Sequence, residues 1–467
     1  MTAFEDFLGN PVTADGDHSA GLIDDFVGGL LAYETRAVNL LAVADEATDL
    51  PLVQTYAGML WMFLESTDGP AKAAPYVERA LKAAENGTAR EKLNAALLDA
   101  WWRDDIPAAL AIGERIAEDF PRDLAAVKIH QYLNFNRGQS PDMVRIGLKV
   151  LPRAGDVAYL HGMLAFGFEQ CHLLDDAEGA ARRAITLKRK EPWAHHALAH
   201  VLLTRGEIGQ GVDFLRGVKD TWTDLNSFMS THLWWHFALF LLSQGREAEA
   251  VKLYDAHIWG IDKGYSQDQI GAVQLLTRLE LAGVDVGDRW DDVAGHLAAR
   301  SGDTAQPFLA LLYLLGLARA GRAEANTLLN AIRDQAAKAP AHSRATWTDV
   351  AVPAAEGLVA YHHGDYRTAV THLGPVLPRM VEIGGSHAQR DLFEQVLLDA
   401  HLKGGRWATA QQLLELRRGF DPEGVPVNRA LAKVYDHLGL PTLAQRAAGR
   451  AAATAAAHRN DAPILTA

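Results

Sequence analysis

The stretch HLWWHFALFLLSQGREAEAVKLYDAHIW, residues 232–259, decides how the chain is read. It opens on an apolar run with the i, i+3, i+4, i+7 recurrence of a helix. The run stops at Ser243-Gln244-Gly245, and a glycine there supplies the left-handed backbone that closes a helix. A second periodic segment begins at once with Arg246 and Glu247 and carries the small Ala250 on one side. Two helices joined by a short turn form an antiparallel hairpin.

The same plan recurs along the chain. Breaks fall at TRGE (204–207), SQGRE (243–247), HHGDY (362–366) and KGGRW (403–407). Between them lie roughly twenty segments with helical apolar spacing, while alternating strand patterns are nearly absent. The repeat period, about 34 residues, is that of the tetratricopeptide template. Between Leu160 and Trp193 the template's small positions fall on Ala180 and Ala184, and its closing proline on Pro192. Between Thr231 and Trp259 the template positions fall on Ala238, Gly245, Ala250 and Tyr254. Small residues let paired helices approach, and the aromatic fills the gap between hairpins. The expected fold is therefore all-α: a right-handed superhelix of antiparallel helix hairpins, a tetratricopeptide-like α-solenoid of roughly twenty helices. An irregular arm is expected over residues 1–20, a continuous repeat domain over 21–458 and a C-terminal tail over 459–467.

Bulk composition narrows the function classes. The 467 residues are 49% hydrophobic and 22% charged, with a net charge of −13. An acidic chain without a basic stripe argues against broad binding to nucleic acid or anionic membrane. One cysteine, Cys171, cannot form an internal disulfide. The start MTAFEDFLGNPVTADGDHS lacks the pattern of a signal peptide. The longest apolar run, PFLALLYLLGLA (307–318), is too short for a membrane span. A cytoplasmic protein is expected, with no nucleic-acid or membrane partner.

Several strings resemble the tetratricopeptide repeat protein 38 family. They are LAHVL around His200, the His-x-x-Trp-His of HLWWH, the YDAHIW that follows, GDRWDDVAGHLAARSGD (287–303), and GGSHAQRDLFEQ at Gly384–Gln395. The resemblance implies a helical repeat fold and a set of recurring polar residues, and it implies no particular activity. The family also accepts Asn at the position of His387, and its members can carry a His where this chain has Tyr56.

The chemistry-bearing residues gather in two places. In EPWAHHALAHVLLT (191–204), His196 and His200 lie four apart, as do His232 and His236 in HLWWH. Residues four apart share a helix face. In the repeat register these four histidines point from the first helices of consecutive hairpins into the concave groove. Glu169 occupies the template position of His200 one hairpin earlier. Three imidazoles, His200, His232 and His236, make a candidate zinc or iron site, with Glu169 or His196 nearby. The spacing matches the metal-binding HExxH helix, but Leu233 stands where its glutamate would act. Metal-free acid–base catalysis by His200, His236 and Glu169 is a second reading. A third is half-buried groove residues that bind a ligand or support packing, with one of Trp234 and Trp235 in the hairpin core and the other facing the groove.

The second place is GGSHAQRD (384–391). Ser386 reads as a helix N-cap, with His387, Ala388 and Gln389 in the first turn. Arg390 beside a helix N-terminus suits a carboxylate or phosphate. The alternative is an Arg390–Asp391 or Arg390–Glu394 pair that locks adjacent hairpins.

Two functions remain open at this stage. The first is a binding protein whose His/Trp-rich groove holds a peptide, a protein or a small polar ligand through His196, His200, His232, Trp235, His236, His387, Gln389 and Arg390. The second is an enzyme with a histidine-based, possibly metal-dependent, site in a closed solenoid pocket. No cofactor is required by any motif: there is no Walker loop, no GxSxG and no paired-cysteine zinc spacing.

Overall fold

A computed structural model describes residues 4–465. Among the described residues are 24 α-helices, short 3-10 and π-helical turns, and one two-stranded ladder. The architecture is the all-α, tetratricopeptide-like stack of antiparallel hairpins. The chain divides into two compact units: residues up to Leu198 with Thr221–Met229, and Ala199–Asp220 with the residues from Ser230 onward.

In the first unit the helices pair as 51–62 with 69–84, 89–102 with 106–119, 124–135 with 140–154, and 158–170 with 174–187. Their sequences differ by layer. AYLHGMLAFGFEQ (158–170) is apolar nearly all round, and only His161 and Phe168 in it are less than fully buried. LDDAEGAARRAITL (174–187) buries just Ala177, Ala181 and Ala184. A helix packed on several sides must be apolar on several sides, whereas an outer helix needs one stripe. Alanine in that stripe brings the two backbones close.

The N-terminal residues are anchored by charge. Phe4–Glu5 pairs antiparallel with Pro11–Val12. Arg90, 1% exposed, donates to Asp6 at 3.0 Å, to Asp123 at 2.7 Å and to the Pro11 carbonyl at 3.2 Å. Asp123 also caps the 124–135 helix through the Ala126 N–H. Tyr56 is fully buried beside this network and stacks on Phe26 at 4.0 Å. A buried cation shared by two buried carboxylates is tolerable only when its hydrogen bonds are met, and here they are.

The second unit closes on itself. Its helix 266–281 packs against 307–319, 307–319 against 352–362, and 266–281 again against 387–403. The loop after the 407–418 helix returns to the turns at the start of the unit. Ser243 donates to Asp421 at 2.6 Å, and Arg429 pairs with Glu247. The turn glycines permit this approach. Gly206 has φ +70°, and a Cβ there would overlap the Phe420 carbonyl oxygen. Gly245 has φ +74°, with Val425 against it. The C-terminal residues complete the closure. Arg246 donates to Asp461 and to the Ala462 carbonyl, Lys219 donates to the Ile464 carbonyl at 2.7 Å, and Ile464 is 1% exposed. No helix among the described residues is long and apolar enough to cross a membrane.

Candidate functional site

The two histidine helices begin differently. The 192–204 helix starts at Pro192, and the buried Glu191 carboxylate accepts the Ala194 N–H. Burial pushes that carboxyl above its ordinary range, while the Ala194 N–H, Lys128 and Lys188 pull it down. The 227–243 helix starts after Asn226, whose side chain accepts the Met229 N–H at 2.9 Å. Proline at the first helical position and Asn as a cap both follow from the unpaired N–H groups of a helix start.

Within the second unit His200, His232 and His236 come together. One ring nitrogen from each lies within 4.8 Å of the others. The Nε2 atoms of His232 and His236 are 3.3 Å apart, and their rings are nearly perpendicular. The His200 ring lies 4.4 Å from that of His236 and 5.3 Å from that of His387. Exposure is 0% for His200, 7% for His232 and 0% for His236. Burial, with the His200 charge as a smaller contribution, holds His232 down to about 3. A neutral imidazole is the form that ligates a metal or exchanges hydrogen bonds with a neutral ligand.

His196 lies one turn before His200 on the 192–204 helix. In the first unit its ring stacks on Trp193 at 4.5 Å and leans on Phe166 at 5.2 Å. Glu169, also in the first unit, is fully buried and accepts the Gln170 amide at 2.6 Å. His195 has a scaffold role: its Nε2 meets the Arg189 carbonyl at 2.8 Å, and Trp222 donates to its Nδ1 at 3.3 Å.

Both tryptophans are buried, and they stack on different histidines. Trp234 stacks on His257 at 4.2 Å. Trp235, 1% exposed, stacks on His232 at 5.2 Å and carries the Arg278 guanidinium 5.2 Å over its ring. Arg278 and Gln274 belong to this buried cluster and are missed by sequence reading. They sit one turn apart in SQDQIGAVQLLTRLEL (266–281), which passes for an ordinary amphipathic helix. The available signal is that Gln274, Thr277 and Arg278 are polar in a helix packed on several sides. Burial pulls the Arg278 guanidinium down to about 10; Asp391 attracts it and Arg417 repels it.

GGSHAQRD behaves as a helix start. Gly384 and Gly385 have positive φ, and Ser386 and Gln389 form a reciprocal capping box over the helix His387–Lys403. The Gln389 amide oxygen accepts the Ser386 N–H at 3.0 Å, so half of this candidate ligand contact is engaged by the cap. Arg390 donates to the carbonyls of Gly384 and Gly385. Within the hairpin that follows, Arg417 on the 407–418 helix grips Asp391 with contacts of 2.5 and 3.1 Å. Arg278 reaches the same turn from the other side, donating to the Ala388 carbonyl at 2.7 Å.

The fold and site together define a tetratricopeptide-like helical-hairpin protein with a buried cluster of His, Trp, Gln and Arg in its second unit. No family model matches the chain. Solved structures with a similar course include a human IFIT1 dimer with PPP-AAAA, 12% identical, covering 95% of this chain and 96% of that one at a TM-score of 0.41. They also include the APC/C hetero-tetramer Cut9-Hcn1, 12% identical, covering 95% of each chain at a TM-score of 0.32.

Proposed function

We propose that the second unit is a binding module that encloses a small polar ligand at the His200–His232–His236 cluster. The observation that carries this is the near-complete burial of three convergent imidazoles beside Trp235 and Arg278. A groove for an extended peptide presents its contact side chains to solvent; these are withdrawn from it. Small-ligand sites are typically enclosed, mostly apolar and furnished with a few convergent polar groups. HLWWH and GGSHAQRD, two strings behind the resemblance to the tetratricopeptide repeat protein 38 family, supply His232, Trp235, His236 and His387 to this one place.

Native mass spectrometry of the full chain, purified without a His tag, tests the reading. A co-purifying adduct of small-molecule or metal mass is expected in the wild type and absent from His236→Ala. An unadducted wild type that holds extended peptides on an array, whether or not His236 is present, overturns it.

A second reading is favoured by the 3.3 Å separation of His232 and His236. In this reading His200, His232 and His236 hold a zinc or iron ion, and the site is that of a metal-dependent enzyme. Three neutral imidazoles fit such an ion and leave a coordination position for water or substrate. His200 and His236 are the acid–base candidates if the chemistry is metal-free.

A further inference from the structure

The interior of the second unit holds hydrogen-bond donors without matching acceptors. Arg278 is 5% exposed. Its hydrogen bonds all go to neutral oxygens: the Gln274 carbonyl at 3.3 Å, the Gln274 side-chain oxygen at 3.5 Å and the Ala388 carbonyl at 2.7 Å. It forms no ion pair among the described residues. The carboxylate it is electrostatically drawn to, Asp391, is clamped by Arg417 through both of its oxygens. Gln274, fully buried, has its Nε2 without a hydrogen-bond partner among the described residues. The same holds for Nε1 of Trp235, the residue whose ring lies under the Arg278 guanidinium.

Each of these facts is unfavourable alone. A buried cation without a direct ion pair and a buried N–H without an acceptor each cost free energy. Their coincidence has one simple chemical complement. A carboxylate is planar, carries one negative charge and offers about four lone pairs with no donor. A guanidinium edge, an amide N–H and an indole N–H are the donors it lacks.

We infer that Arg278, Gln274 and Trp235 form the recognition site for a carboxylate group of a small ligand. The inference rests on the enclosed-ligand reading above and names the chemical class of that ligand. The carboxylate pairs with Arg278 and accepts from Gln274 Nε2 and Trp235 Nε1. The rest of the ligand extends toward His236 and His232, whose rings lie beside Trp235.

The test uses the full chain with acetate and succinate as probes and succinamide as the uncharged control. Thermal denaturation and calorimetry are expected to show acetate and succinate stabilising the wild type and succinamide having no effect. Arg278→Met should weaken succinate binding by about tenfold or more, the size expected for a lost charge-assisted contact. A purely structural Arg278 gives a different result: Arg278→Met then lowers the melting temperature of the ligand-free protein. Under the present inference the ligand-free variant melts at or above the wild-type temperature, because an uncompensated buried charge has gone. Trp235→Phe keeps the ring under the guanidinium and removes only the N–H, so it should weaken succinate binding without unfolding the chain.

Inorganic phosphate stabilising the protein where both carboxylates fail would replace the carboxylate with a phosphate and overturn the assignment. So would a co-purifying adduct that survives unchanged in Arg278→Met. In either case the enclosed-ligand reading stands. It falls only if the wild type carries no adduct and His236→Ala behaves like the wild type.

Discussion

The Nε2 atoms of His232 and His236 lie 3.3 Å apart on consecutive turns of one buried helix. That is close to the edge of a tetrahedron of imidazole nitrogens around zinc, about 3.3–3.4 Å for bonds of about 2.0–2.1 Å. If an ion sits there, tag-free protein loaded with zinc should hold close to one equivalent. His236→Ala should fall below about a tenth of an equivalent and lose the rise in melting temperature that zinc confers on the wild type. Equal zinc content in the two proteins removes the metal reading.

Arg90 ties the N-terminal ladder to the interior of the first unit by bonds to Asp6 and Asp123, and neither carboxylate side chain is exposed. Arg90→Ala leaves two buried carboxylates without their cation. The expected loss is about 3–5 kcal/mol, read from urea unfolding. A loss below about 1 kcal/mol would mean that water replaces the guanidinium.

Burial alone would raise the Asp391 carboxyl, but Arg417 and, less strongly, Arg278 hold it down to about 2. A folded-state value below the unfolded one stabilises the fold at pH above the unfolded value, about 3.9, and that stability is lost as pH falls toward 2. Asp391→Asn should therefore be less stable than the wild type at pH 6. The two should converge as pH drops from about 4 to 2. Urea midpoints measured across that range give the answer, and parallel curves contradict the assignment.

The C-terminal residues are held by Arg246, Lys219 and Glu249, with Ile464 buried. Ending the chain at Arg459 exposes the surface that Ile464 covers, worth about 1.5–3 kcal/mol, and frees three charged side chains. A melting temperature lower by several degrees is expected; an unchanged one would show that the docked residues contribute nothing to closure.

Gly385 has φ +74°, and a Cβ there would lie 2.5 Å from the Phe308 ring. Gly385→Ala should destabilise by about 1–3 kcal/mol through backbone strain and overlap. Gly271 has no neighbour that an added methyl would meet, so Gly271→Ala is the control and should be neutral or slightly stabilising.

The hairpin architecture was legible in the sequence because it is written locally. Gly245 ends one helix, the Ala250 stripe begins the next, and both signals act over a few residues. The convergence of His200, His232 and His236 was legible for the same reason, since an i, i+4 pair on each of two helices in consecutive hairpins needs only the repeat register. The capping box at Ser386 and Gln389 is equally local.

Other features were decided only by tertiary structure. Asp391 pairs with Arg417 on the facing helix, 26 residues along the chain, a partner supplied by helix packing. Arg278 meets the Ala388 carbonyl because helix 266–281 packs on 387–403, across more than a hundred residues of chain. The closure of the second unit through Ser243–Asp421 and Arg246–Asp461 is longer in range still. Periodicity specifies which face of a helix is buried. Only the assembled fold specifies which residue it is buried against, because that depends on the summed geometry of every hairpin between the two.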